Sequence, residues 1–132
     1  MLKRRLLIEV RWLIALGDCD QITEVPKLSE GAKSFLENLI DRFDLEAAEH
    51  IKTIERTTNH DVKAVEYYLK QQLSSNEELN RLSEFVHFAC TSEDINNLAY
   101  ALMLDDARSQ HCLLYTSPSP RDLSTSRMPS SA

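Results

Sequence analysis

An all-α fold is predicted, and three observations carry the prediction. Apolar residues recur at three- and four-residue intervals through most of the first 111 positions. No stretch alternates apolar and polar residues as a half-buried strand would, and hydroxyl or acidic residues stand just ahead of the apolar runs, where helices need N-caps. There is no internal repeat.

The first helix is read from Leu2, Leu6, Val10, Leu13 and Leu16, which share one face and stop at Gly17, a residue suited to a helix end because it tolerates positive φ. A loop with Pro26 leads to Ser29, an N-cap, and to a second helix whose Ala32, Phe35, Leu36, Leu39, Ile40 and Phe43 form one stripe. Asp44 caps a third helix carrying Leu45, Ala48, Ile51 and Ile54. That helix ends in a polar stretch over residues 55–61, and a fourth begins near Asp61 with Val62, Val65, Tyr68 and Leu69 inward. Ser74, Ser75 and Asn76 mark a turn before a shorter segment ending in Phe85, Val86, Phe88 and Ala89. The last helix follows Thr91, and its Ile95, Leu98, Ala99, Leu102 and Met103 fall at i, i+3, i+4, i+7 and i+8.

Composition shifts at Cys112. The final 21 residues hold three of the four prolines, Pro118, Pro120 and Pro129, among serines and threonines with almost no apolar periodicity. Such tails read as disordered. Residues 112–122 also resemble one translated frame of a transposase adapter used in sequencing libraries, and residues 126–132 resemble its flow-cell end. Residues 112–132 are therefore read as a non-native tail and set aside from fold reasoning.

Residues 1–111 carry 13 basic and 20 acidic side chains, a net charge of −7. That balance argues against a general binder of nucleic acid or anionic membrane, while leaving room for a local cationic site. Cys19 and Cys90 have neither metal-type spacing nor a disulfide framework, which fits a reduced, cytoplasmic setting. The start is basic and then apolar, but Glu9, Arg11 and Asp18 interrupt it before a signal-peptide core forms. No run approaches the roughly 18 apolar residues that span a bilayer.

Two segments concentrate side chains able to hold a ligand. Residues 55–61, with Lys63 just after, include Arg56, Asn59, His60 and Asp61. An imidazole there can act as a general acid or donate to a ligand, with Arg56, Asp61 and Lys63 to tune it. Equally, Asp61 can be an N-cap, and Lys63 with Glu66 an i, i+3 surface pair. At the second segment Thr91 begins a helix and Asp94 completes a capping-box-like pairing. Free backbone N–H groups and the Thr91 and Ser92 hydroxyls can hold a carboxylate or phosphate there, or the acids Glu93 and Asp94 can themselves complement the helix dipole. His87, between Val86 and Phe88, is read as a packed, hydrogen-bonded residue rather than a ligand. His50 and Tyr67 are structural or surface positions.

The two segments together resemble a known family. Residues 56–67 and 84–98 are similar to the N-terminal part of the bacterial adenylosuccinate lyases, of the fumarase/aspartase superfamily, and Val10-Arg11-Trp12 and Glu24-Val25-Pro26 also fit. The resemblance covers residues 1–104. It implies an N-terminal helical domain over residues 1–90 and, over residues 91–111, the start of the first long helix of a central bundle that joins four subunits. It also implies a cytoplasmic homotetramer of purine synthesis with no cofactor and no metal. The substrates implied are small molecules, adenylosuccinate and the succinyl-carboxamide ribotide, each releasing fumarate by β-elimination.

Carried over by position, Asn59, His60 and Asp61 contact substrate, with His60 near the phosphate or leaving group, and Thr91 and Ser92 hold a succinyl carboxylate. The family's principal catalytic His and its serine base are expected beyond the point where the tail begins, and an Arg-Tyr binding pair before Met1. No catalytic residue is therefore expected in these 132 residues, and the chain alone is expected to be inactive, partly folded and prone to associate. Two rivals are a lyase of the same superfamily acting on another fumarate conjugate such as argininosuccinate, and a non-enzymatic helical interaction module.

Overall fold

Helix α1 (Leu2–Gly17) is the element around which the others assemble. Its Leu6, Val10 and Leu13 are completely buried, and burying each such side chain contributes about 1.5–3 kcal/mol. The computed structural model describes residues 1–112, in the order α1, α2 (Glu30–Asp41), α3 (Leu45–Thr58), α4 (Asp61–Leu73), the single turn α5 (Glu77–Asn80), a 3-10 turn at Ser83–Phe85, α6 (Ser92–Ala107) and a π-helical turn at Arg108–Cys112. There is no strand among the described residues. Except for Cys112, the tail over 112–132 lies outside them.

Local chemistry sets the helix boundaries. Ser29 Oγ accepts from the Ala32 N–H at 3.1 Å, Asp44 Oδ1 from the Ala47 N–H at 2.9 Å, and Asn76 Oδ1 from the Leu79 N–H at 3.1 Å. Each satisfies a backbone donor that the first helical turn leaves free. Gly17 corrects the sequence reading. It lies inside the end of α1, has no positive φ, and the C-cap is Asp18 in right-handed geometry. A Cβ at Gly17 would stand 3.2 Å from both Leu28 Cγ and the Pro26 carbonyl oxygen. The glycine therefore permits a close approach of the following loop.

The larger core cluster joins α1, α2, α3 and α4 through Leu6, Val10, Leu13, Ala32, Leu36, Ile51, Val65 and Leu69. Leu45 departs from its expected stripe and is 74% exposed at the first turn of α3. A smaller cluster of Ile8, Val62, Ile95 and Ala99 seats α6 against α1 and α4. On α6 the apolar stripe is only half covered: Ile95 and Ala99 are buried, whereas Leu98, Leu102 and Met103 are exposed together with Tyr100 and Leu104. No helix among the described residues is long and apolar enough to cross a membrane.

Candidate functional site

Helices α3 and α4 form a hairpin joined by Asn59 and His60. Asn59 closes α3 in the left-handed region, with φ 51 and ψ 29, while its N–H donates to the Glu55 carbonyl at 2.8 Å. Among side-chain-bearing residues Asn is one of the few that adopts this conformation readily. The turn leaves an open hollow lined by Lys52, Glu55, Arg56, Asn59, His60 and Asp61. Lys52 is paired with Glu55 at 2.7 Å.

His60, not Asp61, is the N-cap of α4. Its Nδ1 accepts from the Lys63 N–H at 3.1 Å, so the neutral ring carries its hydrogen on Nε2. Nε2 in turn lies 3.4 Å from Ser92 Oγ, where the ring is the donor. This brings the two sequence segments together at one point.

Asp61 lies at the edge of the hollow and reaches toward α1. Its Oδ1 accepts from the Val62 N–H at 2.8 Å, and its Oδ2 accepts from Arg5 Nη2 at 2.5 Å. Burial alone would push this carboxyl up, but the Val62 N–H and the Arg5 guanidinium outweigh it and hold Asp61 below the usual carboxylate range. Arg5 also donates from Nε to Asn96 Oδ1 at 2.9 Å. Lys63 and Glu66 do pair, at 2.8 Å, but Glu66 is almost fully buried and also meets Lys70, so the pair is anchored rather than free on the surface.

Thr91 forms the expected capping box. Its N–H donates to Asp94 Oδ2 at 2.7 Å, and its Oγ1 accepts from the Glu93 N–H at 3.1 Å. The Thr91 hydroxyl oxygen is thus turned into its own helix start, and its neighbour Ser92 faces His60. The structure therefore brings His60 to Ser92, ties Asp61 to Arg5, places Asn59 on the hollow, and leaves Thr91 as a cap.

The loop leading to Thr91 is held by α1. Trp12 Nε1 donates to the Phe88 carbonyl at 2.8 Å, and His87 Nδ1 lies 2.6 Å from Glu9 Oε1. His87 is hydrogen-bonded, as expected, but only half-buried. His87 and Ala89 both have left-handed backbones, with φ 65 and 58. Arg5 and Glu9 escaped the sequence reading because both sit in a helix whose charges look like the polar side of an amphipathic pattern. Their one-turn spacing beside Leu2, Leu6 and Leu13 was the available signal.

A family model described as Lyase matches residues 8–116. The chain belongs to this lyase family. Within it, the adenylosuccinate lyase of Haemophilus influenzae is 54% identical over 110 residues, covering 83% of this chain and 24% of that protein. The adenylosuccinate lyase of Escherichia coli K12 is 54% identical over 115 residues, 87% of this chain and 25% of its own length. That of Legionella pneumophila strain Corby is 55% identical over 106 residues, covering 80% and 23%. The chain thus spans about a quarter of the length of the curated relatives it matches.

Proposed function

We propose that this chain is the N-terminal, substrate-contacting part of an adenylosuccinate lyase, a carbon–nitrogen lyase that releases fumarate from adenylosuccinate and from the succinyl-carboxamide ribotide. The observation that carries this reading is the 54% identity to relatives of that name over more than four fifths of the chain. The reaction is a β-elimination: a base takes the proton beside a carboxylate, the carbanion is held as an aci-carboxylate, and an acid protonates the departing nitrogen, the purine amine of adenylosuccinate or the carboxamide of the ribotide. Such chemistry depends on donors arranged around developing negative charge. In this chain His60 Nε2–H orients the Ser92 hydroxyl, whose own hydrogen is a donor for the substrate, with Asn59 and Arg56 on the adjoining hollow.

In this reading residues 1–90 form the N-terminal domain and α6 begins the central bundle of a homotetramer. The exposed Leu98, Leu102 and Met103 then await partner helices. Consequently the chain by itself associates, and a sharp melt of a strict monomer counts against the assignment. The direct test is a hybrid in which residues 1–104 replace the matching segment of the Escherichia coli relative. The hybrid is expected to release fumarate from adenylosuccinate and not from argininosuccinate. The isolated chain is expected to release none. A correctly assembled hybrid that is inactive, or one that prefers argininosuccinate, would overturn the reading.

A further inference from the structure

We propose that Arg5 is a positioning residue that sets the spacing between His60 and Ser92 by clamping the starts of α4 and α6 to α1. The proposal rests on the substrate-contacting reading of those two residues, but its geometry stands without it. Arg5 is 6% exposed, and a buried guanidinium is costly unless its donors are matched. Here two of its nitrogens serve different helices: Nη2 donates to Asp61 Oδ2 at 2.5 Å, and Nε donates to Asn96 Oδ1 at 2.9 Å.

Each acceptor is tied rigidly to one half of the site. Asp61 directly follows His60 and starts α4. Asn96 lies four residues after Ser92 in α6, on the same side of the helix. The guanidinium is a planar fork with fixed angles between its donors, so it dictates the distance between its two acceptors as well as attracting them. The other polar tie between α1 and α6, Arg4 with Asp106, lies near the far end of α6 and is substantially exposed. Exposed pairs of that kind hold geometry weakly. Alongside the apolar packing of Ile8, Val62, Ile95 and Ala99, Arg5 is therefore the buried polar connection that fixes the His60 ring at 3.4 Å from the Ser92 hydroxyl.

A lysine at position 5 keeps the charge and the long stem but is a point donor without the fork. The experiment uses the complete 132-residue chain and reads the nuclear Overhauser contact between the His60 ring and the Ser92 β protons, with fumarate as the probe of binding. Arg5→Lys and Asn96→Leu are expected to lose the contact with little change in melting midpoint, and to bind fumarate roughly fivefold to tenfold more weakly, the loss expected for one ordinary hydrogen bond. Asn96→Asp keeps an acceptor for Arg5 and is expected to retain the contact. If Arg5→Lys does not fold, the Asn96 variants decide, because Asn96 is only half-buried. Persistence of the contact in Asn96→Leu overturns the proposal. Loss of the contact in the variants without any fumarate response in the unaltered chain upholds the clamp and removes the substrate reading instead.

Discussion

Arg5 and Glu9 lie one turn apart on α1, and both tie it to distant segments, yet their charges are met in unlike ways. Arg5 reaches two acceptors, one of them a carboxylate whose side chain is 44% exposed. Glu9 is fully buried, its Oε1 meets His87, and its Oε2 finds no partner among the described residues. The Arg5 site opens to solvent on its Asp61 side, whereas the Glu9 carboxyl is wholly enclosed by protein. The first arrangement fixes a distance between helices; the second fastens a loop at the expense of a poorly matched buried group.

The largest effect is expected at Glu9. Glu9→Ala strips His87 of its partner and opens a void at a fully buried position, so the chain should lose about 2–5 kcal/mol in urea unfolding, as for other large-to-small changes at buried positions. An Arg5→Met variant should lose less, roughly 1–2 kcal/mol, because Asp61 can rehydrate once its partner is gone. Equal losses at the two positions would erase the distinction between them.

The two carboxyls also have opposite pH signatures. Burial pushes Glu9 above its ordinary value of 4.5 although His87 pulls it down, and the nearby Glu66 adds to the rise. Its contribution to stability is therefore complete below 4.5 and is lost as pH rises through the higher folded value. Asp61 behaves conversely: its contribution is present above its unfolded value of 3.8 and is lost as pH falls through the lower folded value. Urea midpoints should accordingly show Glu9→Gln gaining on the parent chain as pH rises from 4.5 toward neutrality. Asp61→Asn should converge with the parent only at acid pH.

The smallest effects concern the backbone of the two regions. Asn59→Ala places an ordinary side chain at φ 51 and should cost about 1 kcal/mol. Ala89 already carries that strain at φ 58, so Ala89→Gly should stabilise by roughly 0.5 kcal/mol despite the added freedom of the unfolded chain. Thermal melts of the two variants should move in opposite directions.

Helix order and most of the boundaries were legible because caps and apolar spacing are local: Ser29, Asp44 and Thr91 begin the helices that follow them, as their side-chain chemistry requires. The cap of α4 is His60, whereas the sequence leaves Asp61 open as the cap, because an imidazole nitrogen as cap acceptor is a less familiar signal than a carboxylate. Gly17 was read for its backbone freedom, whereas its small size is what the loop at Pro26 and Leu28 needs. The left-handed turns at His87 and Ala89 left no mark in residue type.

Local sequence thus determined which segments are helical and where the candidate ligand-holding residues cluster, because hydrogen bonding within a turn and side-chain periodicity involve near neighbours only. The tertiary structure decided which of those residues meet. Arg5 joins Asp61 and Asn96, and Glu9 joins His87, across separations of 56, 91 and 78 residues. No local pattern encodes such pairings: they follow from the packing of α1 against α4 and α6, which turns two charges of an otherwise ordinary helix into the ties between two distant segments.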